Sequence, residues 1–193
     1  MSLTTYTGKT FDFNNITKES IDITDIIRSL PRLNRFVGHS SRAYSVAEHT
    51  ILCTIMAFKL GYSRREQFLT FIHDFTEAYC GDCPAPLKEF LPQFKQIEKK
   101  VEHAILDYFG IDYPTEEEHW KIKRIDRTML VIEMKEMTLH SHEKFIDDTT
   151  YTEMLEHVDL QINHKEPNEE VLNESLLSLL ETLLEDKSLL QRK

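Results

Sequence analysis

The chain has 193 residues, a length that suits one domain built on a single substantial core. Apolar residues at 40% and charged residues at 29% exclude extensive disorder, while only 5 Gly and 6 Pro argue for helices over a turn-rich β architecture. A formal net charge of −10 makes the surface as a whole a poor match for duplex nucleic acid or an anionic membrane.

In chain order, Thr4 to Phe13 alternates aromatic and β-branched residues with polar ones around Gly8, the pattern of a short hairpin. Asn14 to Glu19 is a polar connector. Ile21 to Leu30 has helical apolar spacing, with Thr24 or Asp25 as its cap. A loop from Pro31 to Ser41 follows, in a stretch that carries Arg32, Arg35, Gly38, His39 and, just beyond it, Arg42. Ser45 to Leu60 is apolar nearly all round, which predicts a central helix stopped by Gly61. Ser63 caps the next helix, from Arg64 to about Cys80, with Glu66 at the capping-box position, and Gly81 to Pro86 turns the chain. Pro92 to Phe109 is amphipathic and ends at Gly110. Thr115, with Glu118 three residues on, opens a helix that runs to about His140. His140 to Pro167 is polar and ambiguous. Asn168 to Lys187 predicts a final amphipathic helix with Leu172, Leu176, Leu179, Leu180 and Leu183 on one side. No internal repeat appears, so the expectation is an all-α domain over residues 1–193 with a core at about 15–140, a small N-terminal β-hairpin and a helical extension at 141–193.

The charge is unevenly spread: residues 1–100 hold 13 Lys+Arg against 11 Asp+Glu, and residues 101–193 hold 10 against 22. A small anionic ligand therefore remains compatible with the first half. No apolar run approaches the roughly 20 residues of a membrane span. The first residues lack the basic and apolar regions of a signal peptide, and three cysteines suit a reducing compartment, so a cytoplasmic protein is expected.

The chemistry gathers in the stretch from Phe71 to Lys88. His73 and Asp74 stand side by side in an apolar helical run, with Glu77 one turn later and Asp82 just past the helix end. An imidazole and a carboxylate are costly to bury without a partner, and a divalent cation is the obvious one. His49 lies mid-helix 24 residues earlier, and Asp126 lies in another apolar helical run. Two imidazoles and two carboxylates suit Mn, Fe, Co, Ni, Zn or Mg with open positions. Taken singly, each has a plainer reading: a core histidine, or an aspartate paired with Arg124 or Arg127.

The order His49, His73–Asp74, Asp126 resembles the H…HD…D signature of the HD-domain phosphohydrolase superfamily. The segments TYTGKTFDF, ITDIIRSL, NRFVGHSSRAYSVAEHT and HDFTEAYCGDCPAPLK extend the resemblance over about residues 4–140 to a small single-domain branch. That branch is 5′-deoxynucleotidase-like and includes phage-type dATP phosphohydrolases and, most similar, the phosphohydrolase of oxetanocin A biosynthesis, which links it to antibiotic biosynthesis. The resemblance implies an HD-domain bundle that holds Co²⁺, Mn²⁺ or Mg²⁺ on His49, His73, Asp74 and Asp126. It implies catalytic roles for Glu77 and Asp82, and hydrolysis of phosphate from adenine-type nucleotides or analogues as mono-, di- and triphosphates.

Arg35, just before His49, and Lys88, held behind two prolines, are the candidates for phosphate. His39 could contact phosphate, act as an acid or simply lie in a surface loop. Phe36 could stack on a base or belong to the core. Arg42, Lys95, Arg124 and Arg127 are weaker candidates, as single basic residues are usually solvated. Cys80 and Cys83 form a CxxC with only Cys53 left over, and read as incidental; His103 is either a second-metal ligand or exposed on its helix. The Leu stripe of the last helix either packs back on the bundle or makes a homodimer. Two competing functions are a hydrolase of a signalling nucleotide and a non-catalytic helical adaptor with a structural metal. Neither has its own motif here.

Overall fold

The computed structural model describes residues 2–138 and 160–190. The chain opens in an antiparallel hairpin, β1 (Ser2–Thr4) and β2 (Thr10–Asp12), in the register Ser2↔Asp12, Leu3↔Phe11, Thr4↔Thr10. Gly8 turns it at φ 82, a left-handed angle that favours glycine. Phe11 is fully buried and stacks on Tyr79 at 4.4 Å, so the hairpin is fastened to the helical core.

Helix α1 (Ile23–Ser29) is capped by Asp22, whose carboxylate accepts the Thr24 N–H at 2.9 Å. The expected caps, Thr24 and Asp25, lie inside the helix instead. Asp25 is buried and accepts from the Thr7 amide at 2.7 Å and the Thr7 hydroxyl at 3.1 Å, which ties the hairpin to α1. Two 3-10 turns, Leu30–Arg32 and Arg35–Gly38, occupy the expected loop.

Helix α2 (Val46–Lys59) is the central one, as its all-round apolar sequence requires. Ser45 and Glu48 form a capping box at its start, and Gly61 follows it at φ 68. Helix α3 (Arg64–Ile72) begins at the expected Ser63–Glu66 box. It does not run on to Cys80. The chain leaves the helix at His73 and tightens into turns before the short α4 (Glu77–Cys80), with i→i+3 bonds such as Phe75 N–H to Ile72 O at 3.1 Å and Glu77 N–H to Asp74 O at 3.0 Å. The cause is local: the His73 ring bonds the Thr70 carbonyl at 2.7 Å, the acceptor a continuing helix would give to the Asp74 amide.

After α5 (Ala85–Lys88), helix α6 (Pro92–Phe109) has the expected limits and ends at left-handed Gly110. Helix α7 (Glu116–Met137) starts at the Thr115–Glu118 box. It ends at Met137 rather than near His140; most of the polar stretch between His140 and Pro167 lies outside the described residues. Helix α8 (Glu169–Leu184), capped by Asn168, stops short of Lys187 and is followed by a 3-10 turn, Lys187–Leu190. Leu172, Leu176, Leu180 and Leu183 are buried in the main core, with Leu179 packed at its margin, so this stripe is used within the chain.

The fold is thus mostly α, with the hairpin as its sheet. Two apolar clusters lie beside α2. One gathers Phe11, Leu30, Phe68, Phe71, Phe75, Val101 and the α8 leucines, and the other gathers Tyr44, Cys53, Met56, Ile125, Met129 and Met137. Arg65 joins distant parts: it is nearly fully buried, bonds Glu118 at 2.6 Å, and donates to the carbonyls of Leu190 at 2.8 Å and Asp112 at 2.9 Å. Among the described residues, no helix is long and apolar enough to cross a membrane.

Candidate metal centre

His49, on α2, is fully buried. Its Nε2 lies 3.3 Å from His73 Nε2, 3.3 Å from Asp126 Oδ1 and 3.4 Å from Asp74 Oδ2, and His73 Nε2 lies 3.3 Å from Asp74 Oδ2. Donors bound at about 2.0–2.2 Å to one tetrahedral or octahedral cation stand about 2.8–3.6 Å apart, so this spacing fits a shared ion.

The outer nitrogens explain the orientation. His49 Nδ1 bonds Glu133 Oε1 at 2.5 Å, and His73 Nδ1 donates to the Thr70 carbonyl at 2.7 Å. Each ring then turns its Nε2 inward, and two ring nitrogens 3.3 Å apart call for a positive charge between them, a proton or a metal ion. α2 supplies His49, the end of α3 supplies His73 and Asp74, and α7 supplies Asp126. The four residues singled out from the sequence therefore meet at one point.

Cys53, one turn beyond His49, belongs to the same neighbourhood: His49, Cys53 and His73 stand close enough to hold a metal ion together. The carboxylates are the better partners for the imidazoles. Cys53 is fully buried, and burial pushes its thiol up to about 11, against thiolate formation. Burial also pushes the Asp126 carboxyl up, but the His49 hydrogen bond and the charges of His49, His73 and Arg35 outweigh it and hold the group below the usual carboxylate range. Asp126 also keeps its side chain 40% exposed, open to the cleft described below. For His49, burial and the Arg35 charge act downward; Cys53 and the carboxylates of Glu133 and Asp126 prevail and raise it well above the ordinary imidazole value.

Glu133 has no place in the sequence-based site, yet it organises it. It is fully buried on α7, two turns after Asp126 on the same face. Besides His49 it accepts from Arg35 Nε at 3.1 Å, Arg35 Nη2 at 2.9 Å and the Tyr44 hydroxyl at 2.9 Å. Arg35 Nη1 stands 3.6 Å from Asp74 Oδ2. The guanidinium expected to face phosphate is thus committed to two carboxylates, with 12% of its side chain exposed, and acts here as a clamp between a metal-ligand candidate and the residue that orients another. The turn after it is strained: Phe36 and Val37 both have positive φ, 57 and 54, which non-glycine residues adopt at a cost. Phe36 lies against the Arg35 guanidinium and packs at the margin of the second cluster, while His39 is exposed.

Glu77 is 5% exposed, and its Oε2 finds no hydrogen-bond partner. Burial raises its pKa well above the carboxylate range, and the charges of Asp74 and Asp82 add to the effect. Asp82 is raised in the same direction by burial and by Asp74, with Arg35 and Lys88 opposing. A buried, unpaired carboxyl among these groups is suited to hold or pass a proton.

A cleft of about 460 Å³ opens beside the donors, with His73, Thr76, Lys88 and Asp126 on its polar side and Leu69, Ile72, Ile105, Leu106 and Ile122 on its apolar wall. Lys88 reaches the cleft as expected but is already bonded to Glu98 at 2.6 Å. Arg42 forks onto Glu48, and Arg124 lies over Trp120, while Arg127 is exposed. His103 is exposed and packs its ring edge-on to Tyr113 at 4.2 Å. Cys80 and Cys83 are free thiols, and burial pushes the Cys80 thiol up to about 12, which leaves it inert.

No family model matches the chain. Over 152 residues it is 36% identical to the Uncharacterized protein YfdR of Escherichia coli (strain K12), an alignment that covers 79% of this chain and 77% of that protein.

Proposed function

The chain belongs to the family of Escherichia coli YfdR, and from its own residues we propose that it is a metal-dependent phosphohydrolase of (deoxy)adenosine-type nucleotides or their analogues, built on an HD-domain bundle. The observation that carries the reading is the meeting of His49, His73, Asp74 and Asp126 at 3.3–3.4 Å around His49 Nε2, with the outer nitrogen of each imidazole already bonded. The resemblance of these residues to the H…HD…D signature supports the same conclusion. Co²⁺, Mn²⁺ or Mg²⁺ suits two nitrogens and two carboxylate oxygens with positions left open.

A divalent cation held there supplies Lewis acidity toward a phosphoryl oxygen and lowers the pKa of water. The chain's own residues do the rest. Glu133 and the Thr70 carbonyl fix the two imidazoles, Arg35 steadies Asp74, and the Asp126 carboxylate stays ionised at the cleft. Glu77, buried and unpaired, holds a proton for transfer to the leaving oxygen or takes one from the attacking water, with Asp82 beside it on the same task. The apolar wall of the cleft excludes water and takes the nucleoside.

The test is phosphate release from dAMP, dADP and dATP with Co²⁺, Mn²⁺ or Mg²⁺, beside His73→Ala and Asp74→Ala. Metal-dependent release by the wild type alone is expected; no release from any nucleotide, or equal release by the variants, sinks the reading. Glu77→Gln should keep its metal and lose about 10²–10⁴-fold in kcat.

A further inference from the structure

The two leading cations that the sequence offers for phosphate are already engaged, Arg35 by Glu133 and Asp74, Lys88 by Glu98, while Lys95 is among its weaker candidates. The cleft has other cations. A lobe of about 420 Å³ runs from His73, Asp74 and Thr76 to Lys95 and Lys99 on α6. Its remaining charged and titratable lining is Lys88, Glu98, Glu102, Tyr113 and His119. Glu98 is taken by Lys88, and Glu102 accepts the Tyr113 hydroxyl at 2.9 Å. Lys95 and Lys99 make no ion pair among the described residues.

Two lysines four residues apart on one helix face repel each other, and in a chain of net charge −10 acidic partners are not scarce. Set about 6 Å apart along the helix axis, the two ammonium groups reach more than one phosphate of a polyphosphate chain, and lysine serves phosphate well as a point charge. This lobe shares His73, Thr76, Lys88, Glu98, Glu102 and His119 with the cleft that carries the apolar wall, so a nucleotide at the donors can lay its nucleoside on that wall and its further phosphates toward the lysines.

We propose that Lys95 and Lys99 form a rail for the phosphates that flank the one held at the donor cluster, so that the protein selects nucleoside di- and triphosphates over monophosphates. The inference rests on the phosphohydrolase reading for the place of the reacting phosphorus, and on the cleft alone for the binding of polyphosphate.

The test separates the two. Calorimetric titration of the full chain in EDTA, where hydrolysis is suppressed, compares dATP with dAMP for the wild type, Lys95→Ala/Lys99→Ala, and Lys100→Ala, whose side chain is not part of the lobe's lining and borders the neighbouring groove that Lys99 also reaches. The wild type and Lys100→Ala should bind dATP about tenfold more tightly than dAMP, as two exposed charge contacts of about three- to fivefold each would give. The double variant should bind the two within about twofold, with dAMP unchanged. Rising salt should erase the preference in the wild type. A wild type that does not discriminate, a double variant that still does, or an equal loss in Lys100→Ala overturns the proposal. A wild type that releases no phosphate with Mn²⁺ yet shows the rail-dependent preference for dATP defeats the hydrolase reading and leaves the rail standing.

Discussion

Glu133 is the residue whose replacement should be felt both in folding and at the candidate metal centre. It accepts four hydrogen bonds, one from His49, one from Tyr44 and two from Arg35, while fully shielded from water. In Glu133→Gln the shape is kept and the charge is lost. Arg35, itself nearly buried, then keeps only Asp74 at 3.6 Å as a carboxylate partner. Removing one partner of a buried ion pair costs about 3–5 kcal/mol, and the remaining Asp74 contact argues for the lower end, about 3 kcal/mol. For a chain of this length that is a fall in Tm of about 6–12 °C. At the candidate metal centre, exchange of the carboxylate that fixes His49 in the Nδ1–H tautomer for a neutral amide should weaken a divalent cation by about 10–100-fold.

The two effects are measured apart. Urea unfolding in EDTA gives the stability, and competition against a chelating dye with Co²⁺ or Mn²⁺ gives the affinity at a temperature where the variant is folded. Tyr44→Phe, which removes one of the four bonds and leaves both charges, should cost only about 1 kcal/mol and leave the affinity nearly unchanged. If Glu133→Gln binds metal as tightly as the wild type, or loses less than about 1 kcal/mol, the assignment of Glu133 as the residue that orients His49 and neutralises Arg35 is refuted.

Arg65→Ala removes bonds to Glu118, Leu190 and Asp112 and should destabilise by about 3–5 kcal/mol in urea unfolding, with no change in metal affinity. Although burial pushes Glu118 up, its bonds to Arg65 and the Thr115 backbone hold it below the ordinary value; its contribution is therefore present above the unfolded pKa of about 4.3 and is lost as pH falls through the folded value. Urea titrations from pH 6 to pH 3 should show a shallower acid loss in Arg65→Ala than in the wild type. Saturating Mn²⁺ or Co²⁺ at about 100 times Kd should stabilise the wild type by about 2.7 kcal/mol in a thermal scan, and His73→Ala should abolish the shift. Ser45→Ala should cost about 1 kcal/mol by removing the cap of the helix that carries His49.

What could be read along the chain was what neighbouring residues decide. The capping boxes at Ser63 and Thr115, the stop at Gly110 and the limits of α6 each depend on a few consecutive side chains, and each stands where the pattern put it. The failures share a cause. Asp25 looked like a cap because nothing local shows that Thr7 will claim its carboxylate from eighteen residues away. The helix through His73 looked continuous because its apolar spacing continues; the break comes from an imidazole that captures a backbone carbonyl, and no periodicity reports that.

The same reasoning separates the candidate metal donors from the residues that support them. His49, His73, Asp74 and Asp126 were legible because each is an anomaly, a polar group in an apolar run that must find a partner. Glu133 is such an anomaly too, set among Val131, Ile132 and Met134 and seven residues after Asp126, so the signal that could have found it was the repeat of a carboxylate on the inward face of α7. For Arg35 and Lys88 the chain shows a basic residue near a metal motif, which suggests an anion, but not the ion pairs they make with Glu133 and Glu98, which lie on other elements. Burial is what decides the matter. A cation screened from water must be matched by the fold itself, so the more deeply such a residue sits beside the centre, the less it is available to substrate; the phosphate-facing charge is to be sought among lysines that the fold has left exposed and unpaired.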